Sequence, residues 1–300
     1  MIKKLCLVLY SAIQLSHGQQ IKLDWDNDYF AFQLSKDSTR KDFSDDNYSN
    51  GFHLQYSEDD EDYFIGHQIY TPHFLVIDFL IEEDRPYAGF LYGGYAKHYY
   101  SDAGFIASFP NHTYHKLTLG IVGPSSHAEN IQKSWHKTFQ DYPPSGWDHQ
   151  LQDEPILNYG FFHEYDLCPD RKGYKLLPYI ECNIGNELID SQIGYKFKIG
   201  KNIPPINKRY ETCYSYLFFG SCIDYVYRDI FLDGNTFEDS HSVEKESIIY
   251  KNIIGYEKKY KTIGIGYEFN TSTKEFKYQR DDSDLIKGHS YGKVSFSYNF

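Results

Sequence analysis

The chain has one methionine, its first residue, and no Leu-rich stretch beyond its N-terminal segment. That is poor material for a large water-soluble core. After the first residues no apolar run approaches the roughly 18 residues of a spanning helix, and the mean hydropathy is −0.60. Basic residues are outnumbered: 30 lysines and arginines stand against 42 aspartates and glutamates, a net charge of −12. Nucleic acid requires a basic footprint, so it is excluded as a partner. The acidic balance suits a surface that meets divalent cations bridging anionic lipid headgroups. Cysteine is sparse, and none of the five sits in a C-x-x-C or His/Cys spacing typical of zinc. Cys6 lies in the N-terminal apolar stretch. Cys168, Cys182, Cys213 and Cys222 allow three pairings, among which the sequence does not choose, although Cys213 and Cys222 share one strand-like run and are not expected to pair with each other. There is also no Gly-x-Ser-x-Gly elbow, which removes the commonest serine hydrolase signature.

What the chain has in excess is aromatic side chains: 30 Tyr, 22 Phe and 3 Trp, or 18%. They recur with period two, as in Phe52-x-Leu54-x-Tyr56, Ile193-x-Tyr195-x-Phe197-x-Ile199, Tyr214-x-Tyr216-x-Phe218 and Ile263-x-Ile265-x-Tyr267-x-Phe269. Turn signals such as Asp233-Gly234-Asn235 separate the runs. The final segment, Val294 to Phe300, alternates in the same way and ends on Phe. Alternating strands rich in Tyr and Phe are the pattern of an outer-membrane barrel wall. The expectation is an all-β fold, a transmembrane antiparallel β-barrel of about 12 strands. At the other end Lys3 and Lys4, the apolar stretch from Leu5 to Leu15, and the small residues Ser16 and Gly18 read as an export signal over residues 1–18. The remainder, 19–300, is then a single barrel domain.

One stretch breaks the β pattern. Ser126-x-x-Glu129 has the form of a capping box, and Ala128, Ile131, Trp135 and Phe139 follow at helical spacing, ending before Pro143-Pro144. A short helix near the outer rim is expected there. Gln132 and His136, four apart, share a face of it. His136 is the best general-base candidate, because an imidazole exchanges protons near neutrality. Three other polar segments stand out among the strands. Asp26-Asn27-Asp28 is an oxygen-rich cluster suited to a hard cation, Ser49-Asn50-Gly51 offers a hydroxyl, and Arg85 before Pro86 could grip a phosphate or carboxylate. Trp147, Gln150, Glu154 and Asn158 follow the helix and are candidates to wall a site.

Together the segments DNDYF at 26–30, YSNG at 48–51, DRPYAGFLY at 84–92, LGIVGPSSHAENIQKSWH at 119–136 and GWDHQLQDEP at 146–155 resemble the outer-membrane lipid A 3′-O-deacylase family. The resemblance covers the N-terminal half by motif and the C-terminal half as barrel strands. It implies a site between barrel wall and helix, near the outer rim, in the bacterial outer membrane. It also implies calcium-dependent hydrolysis of the ester carrying the 3′ acyloxyacyl group of lipid A in lipopolysaccharide. Asn27 and Asp28 fall on the family's paired polar positions, with Asp28 near the calcium. Ser49 stands where a threonine is usual, Arg85 where a basic residue is needed, and Gln132 and His136 on the helix pair. The family steadies its histidine with a glutamate a few residues on; here Tyr142 lies near that place, with Asp141 beside it. The expected partners are lipid A and outer-membrane lipid, and the expected state is a monomer. Two other readings remain open: a non-catalytic porin or adhesin barrel, and an outer-membrane phospholipase.

Overall fold

A computed structural model describes residues 19–27, 30, 47–73, 75–103, 108–139, 144–206, 213–277 and 288–300. The expected export signal, Asp28, Asp141 and Tyr142 lie outside the described residues. Twelve strands run antiparallel: β1 (Gln19–Asn27), β2 (Asn47–Glu58), β3 (Glu61–Thr71), β4 (Ala88–Ser101), β5 (Asn111–Val122), β6 (Glu154–Tyr165), β7 (Tyr174–Gly185), β8 (Leu188–Lys201), β9 (Cys213–Asp229), β10 (Ile248–Tyr260), β11 (Ile263–Thr273) and β12 (Gly288–Asn299). Each pairs with its sequence neighbours, and β12 closes on β1 from Gln20 opposite Asn299 to Asn27 opposite Gly292. Closure satisfies every strand edge, which a sheet in lipid requires. No helix among the described residues is long and apolar enough to cross a membrane.

The alternation does what period two dictates. Trp25, Phe52, Leu54, Ile193, Ile199, Ile263, Ile265, Val294 and Phe296 all present exposed apolar side chains on the outer wall. The run at 214–218 has the opposite phase. Tyr216 and Phe218 are buried in the lumen, while Leu217 and Phe219 face outward. There Tyr214 and Tyr216 both donate to the Glu257 carboxylate at 2.5 Å.

Tight turns with left-handed residues at Asp59 and Lys261 join strands at the end that carries both termini of the barrel. The longest connection, 123–153, is at the opposite end. Short turns mark the periplasmic side of such barrels and long loops the outer side. This connection carries α1 (Ala128–Phe139), the expected helix. A second helix, α2 (Ile230–Asp233), is a single turn capped by Asp229.

The entry to α1 differs from the capping box. Pro124–Ser126 forms a 3-10 turn, and His127 takes a left-handed conformation just before the helix. The Ser126 hydroxyl donates to the Gly123 carbonyl at 2.6 Å and accepts only a long bond from the Ala128 amide. Glu129 turns to Lys133 instead. Gly123 sits at φ +107, where any Cβ would be strained and would meet the Gln152 carbonyl at 2.6 Å. Asp153 holds the turn by accepting from the Ser125 amide and hydroxyl. The four thiols beyond the N-terminal segment, Cys168, Cys182, Cys213 and Cys222, are all free.

Candidate active site

The register of β1 to β4 sets out a floor on the outer wall. Asn27 lies opposite Asn50, Asn50 opposite Ile69, and Ile69 opposite Gly89. One step down the wall the row is Trp25, Phe52, His67 and Leu91. Helix α1 lies over the upper row. Gly89 is needed for that approach, since a Cβ there would overlap Ser126 and the Ala128 methyl.

A bulge between Tyr48 and Asn50 interrupts the β2–β3 register. It inserts Ser49 as an extra residue, so Ser49 and Asn50 both reach the outer cleft while Tyr48 lines the interior. In an unbroken strand Ser49 and Asn50 would face opposite sides. The bulge is therefore what puts a hydroxyl beside Asn27 on the bilayer face.

The buried stripe of α1 is Ala128, Gln132 and His136, at 1%, 4% and 2% exposure, while Ile131 and Trp135 are 46% and 41% exposed. The helix turns its polar pair to the wall and its large apolar side chains outward. In lipid that choice carries no hydrophobic cost, because outward is the apolar side. Trp135 leans edge-on to Trp25, ring centroids 6.1 Å apart.

Between helix and wall lies a cleft of about 340 Å³. Asn27, Ser49, Gln132 and His136 all line it, together with His67 and Asn50, and Trp25, Phe52, Ile69, Ile131 and Trp135 form its apolar margin. Asn27 donates its amide N–H to the Ser49 carbonyl at 2.9 Å and to Asn50 Oδ1 at 3.3 Å, which orients its own Oδ1 away from β2. The Ser49 hydroxyl is 2.5 Å from the Thr71 hydroxyl. His67 Nε2 lies 3.1 Å from the Ser126 carbonyl, tying β3 to the start of the helix.

Gln132 is fixed from behind. Trp147 Nε1 donates to Gln132 Oε1 at 2.9 Å, with both side chains buried. An amide whose oxygen is so committed turns its NH₂ the other way, so Gln132 meets the cleft as a donor. Trp147 is held in turn by Tyr87, ring centroids 4.9 Å apart, and by Ile69, Ala128 and Leu75. Replacing Trp147 with Phe keeps the packing and removes one hydrogen bond, a loss of about tenfold. For a cleft in which Gln132 acts as donor, turnover should fall by that factor with substrate affinity unchanged, read from initial rates; an equal fall in the folded fraction would assign Trp147 a packing role only.

Arg85 is the sequence candidate that does not join the cleft. It is 1% exposed on the lumen side of the wall, 3.4 Å from Glu275 and 4.7 Å above the Tyr70 ring. Pro86 and Tyr87 turn the chain back toward the wall at this point, so the side chain before them enters the barrel. Glu154 and Asn158, on β6, also bind turn residues rather than the site: Glu154 accepts from the Asn186 amide and the Thr236 N–H. Of the candidates after the helix, only Trp147 touches a site residue among the described contacts.

Sequence reasoning missed Trp25, Phe52, His67, Ile69 and Thr71. Trp25 and Phe52 lie two residues from Asn27 and Asn50, so strand periodicity alone would have put them on the same face. His67, Ile69 and Thr71 needed the β2–β3 register.

The oxygen donors at this rim suit a hard cation: the Asn27 amide oxygen and the Ser49 hydroxyl, with Asp28 next in sequence to supply charge. Among the described residues no three His, Cys, Asp or Glu side chains converge on a metal position.

Comparison with known proteins agrees with this architecture. The family model described as "Outer membrane protein LpxR" matches residues 3–300. No curated protein sequence matches the chain. Among solved structures, LpxR from Salmonella typhimurium superposes with a TM-score of 0.76 at 16% identity, covering 94% of this chain and 100% of that one. The β domain of the Bordetella autotransporter BrkA reaches a TM-score of only 0.42 at 11% identity, covering 94% of this chain and 99% of that one.

Proposed function

Because the chain belongs to the LpxR family of outer-membrane proteins, we propose that it is a lipid A deacylase, hydrolysing the ester that carries the 3′ acyloxyacyl group. The observation that carries this reading is the place of the cleft. His136 and Gln132 are buried against the outer wall, beside Asn27 and Ser49, under a helix at the outer end of the barrel. A lipid in the outer leaflet reaches such a cleft sideways, without leaving the bilayer.

The chemistry runs as follows. Acyl chains lie along Trp25, Phe52, Ile131 and Trp135, bringing the ester carbonyl under the helix. His136 takes a proton from water as the water oxygen attacks the carbonyl carbon. The Gln132 N–H donates to the oxygen on which negative charge develops. The C–O bond to the sugar then breaks, and the imidazolium returns its proton to the departing sugar oxygen. The products are the free acyloxyacyl acid and lipid A with an open 3′ hydroxyl. Ser49 and Asn27 orient water and carbonyl. The Asn27 amide oxygen and the Asp28 carboxylate would hold calcium, which when bound supplies positive charge to the carbonyl oxygen. One barrel contains every group named, so the working unit is a monomer. Arg85 is not among the residues that line this cleft, and the steps above do not call on it.

The test is purified protein in detergent, offered lipid A and phospholipid separately. Release of the acyloxyacyl acid from lipid A alone is the expected result. Cleavage of phospholipid instead, or ion conductance with no cleavage of either, would replace this reading with a phospholipase or a porin.

A further inference from the structure

The outward row Trp25, Phe52, His67 and Leu91 crosses β1 to β4 one step below the polar row of the cleft. An outer wall in lipid calls for apolar side chains there, and His67 is the exception. Its ring lines the cleft. A polar side chain on the lipid face is costly and persists where something meets it.

One half of the ring is accounted for. Nε2 lies 3.1 Å from the Ser126 carbonyl. A carbonyl only accepts, so this nitrogen carries the proton, and the neutral ring holds its lone pair on Nδ1. Among the described residues Nδ1 has no hydrogen-bond partner. The tie to the helix thus uses one nitrogen and fixes the other as an acceptor. An acceptor packed against plain methylenes forfeits the hydrogen bond that water would supply, and a donor on the ligand restores it.

Depth narrows the donor. Ile69 pairs with Asn50 in the polar row, and His67 lies two residues back along β3, about 7 Å further from the outer rim. A lipid held with its ester beside Gln132 and Asn27 keeps its sugar at or above that row. A donor at the level of His67 then belongs to an acyl chain, and the donor that an acyl chain can carry is a hydroxyl.

We propose that His67 is a specificity-determining residue, its Nδ1 accepting from a hydroxyl on an acyl chain of the bound lipid. Given the deacylase activity proposed above, on which this role depends, the cleft prefers lipid with hydroxylated chains. Ordinary phospholipid chains carry no such donor and leave Nδ1 unpaired, which is a physical ground for rejecting them.

The test is turnover, by the full barrel in detergent, of two synthetic glucosamine lipids with the same sugar ester. One carries a hydroxyl on the neighbouring amide-linked chain and the other lacks it. The wild-type chain should favour the hydroxylated lipid in kcat/KM by about tenfold, the worth of one hydrogen bond of about 1.4 kcal/mol. In His67→Phe, which keeps a flat ring in the row, that preference should vanish, through a raised KM for the hydroxylated lipid. His67→Gln offers a donor to Ser126 and an acceptor to the hydroxyl, so it should restore part of the preference. Turnover of both lipids without preference by the wild-type chain overturns the proposal. So does a preference that survives in His67→Phe, with both lipids losing equally, which reduces His67 to a tie for the helix. No turnover of either lipid by the wild-type chain would instead strike the deacylase reading itself, and this role with it.

Discussion

Replacing His136 with alanine is expected to lower lipid A deacylation by about 10²- to 10⁴-fold, the usual worth of a positioned acid–base group. His136 is 2% exposed, on a helix outside the barrel, and contributes nothing to the twelve strand ladders. The variant should thus retain the heat-modifiable mobility of a closed barrel. The loss should fall on kcat, because Trp25, Phe52, Ile131 and Trp135 still line the cleft that would hold the acyl chains. Steady-state rates on purified lipid A, with a gel-shift check of folding, separate the outcomes. A variant that keeps the wild-type rate removes His136 from the chemistry. A variant that loses the barrel calls for His136→Asn, which keeps a polar side chain of similar reach at that position.

Removing calcium is expected to have an effect of comparable size. Asn27 and Ser49 offer neutral oxygens at the rim, and the resemblance to the family assigns the charge that would bind a hard cation to Asp28. Chelation should abolish turnover, and added calcium should restore it. Magnesium should restore little, since it demands a tighter octahedral shell and gives up its waters reluctantly. Asp28→Asn should raise the calcium concentration needed for half-maximal rate without altering the maximal rate in proportion. Full activity after exhaustive chelation would leave the imidazole and the Gln132 donor as the whole of the machinery.

The barrel was legible because lipid on one side enforces period two, and Val294 to Phe300 carries that signal to the last residue. The phase was less legible. Tyr216 and Phe218 face the lumen, yet they alternate just as lipid-facing aromatics do, and only pairing with β8 and β10 decides between the two sides. The helix was legible from its spacing, but which stripe it buries was not. In water Ile131 and Trp135 would turn inward; beside a bilayer Gln132 and His136 do. Asn27, Ser49, Gln132 and His136 come together as expected, but the reason Ser49 does so is the bulge after Tyr48, which no local residue announces. Arg85 lies outside the cleft lining, beside Glu275, a position that no local residue pattern announces. Trp147 was named only as part of a wall, since its hydrogen bond to Gln132 spans a loop whose path the sequence does not specify.

The central claim is that this barrel removes an acyloxyacyl group from lipid A in its own membrane. The most direct measurement is the mass of lipid A extracted from cells expressing the wild-type chain, beside cells expressing His136→Ala. With the wild-type chain the lipid A should be lighter by one acyloxyacyl group, and with the variant its mass should be unchanged. Lipid A of identical mass in both, with wild-type barrel present in the outer membrane and calcium supplied, would contradict it.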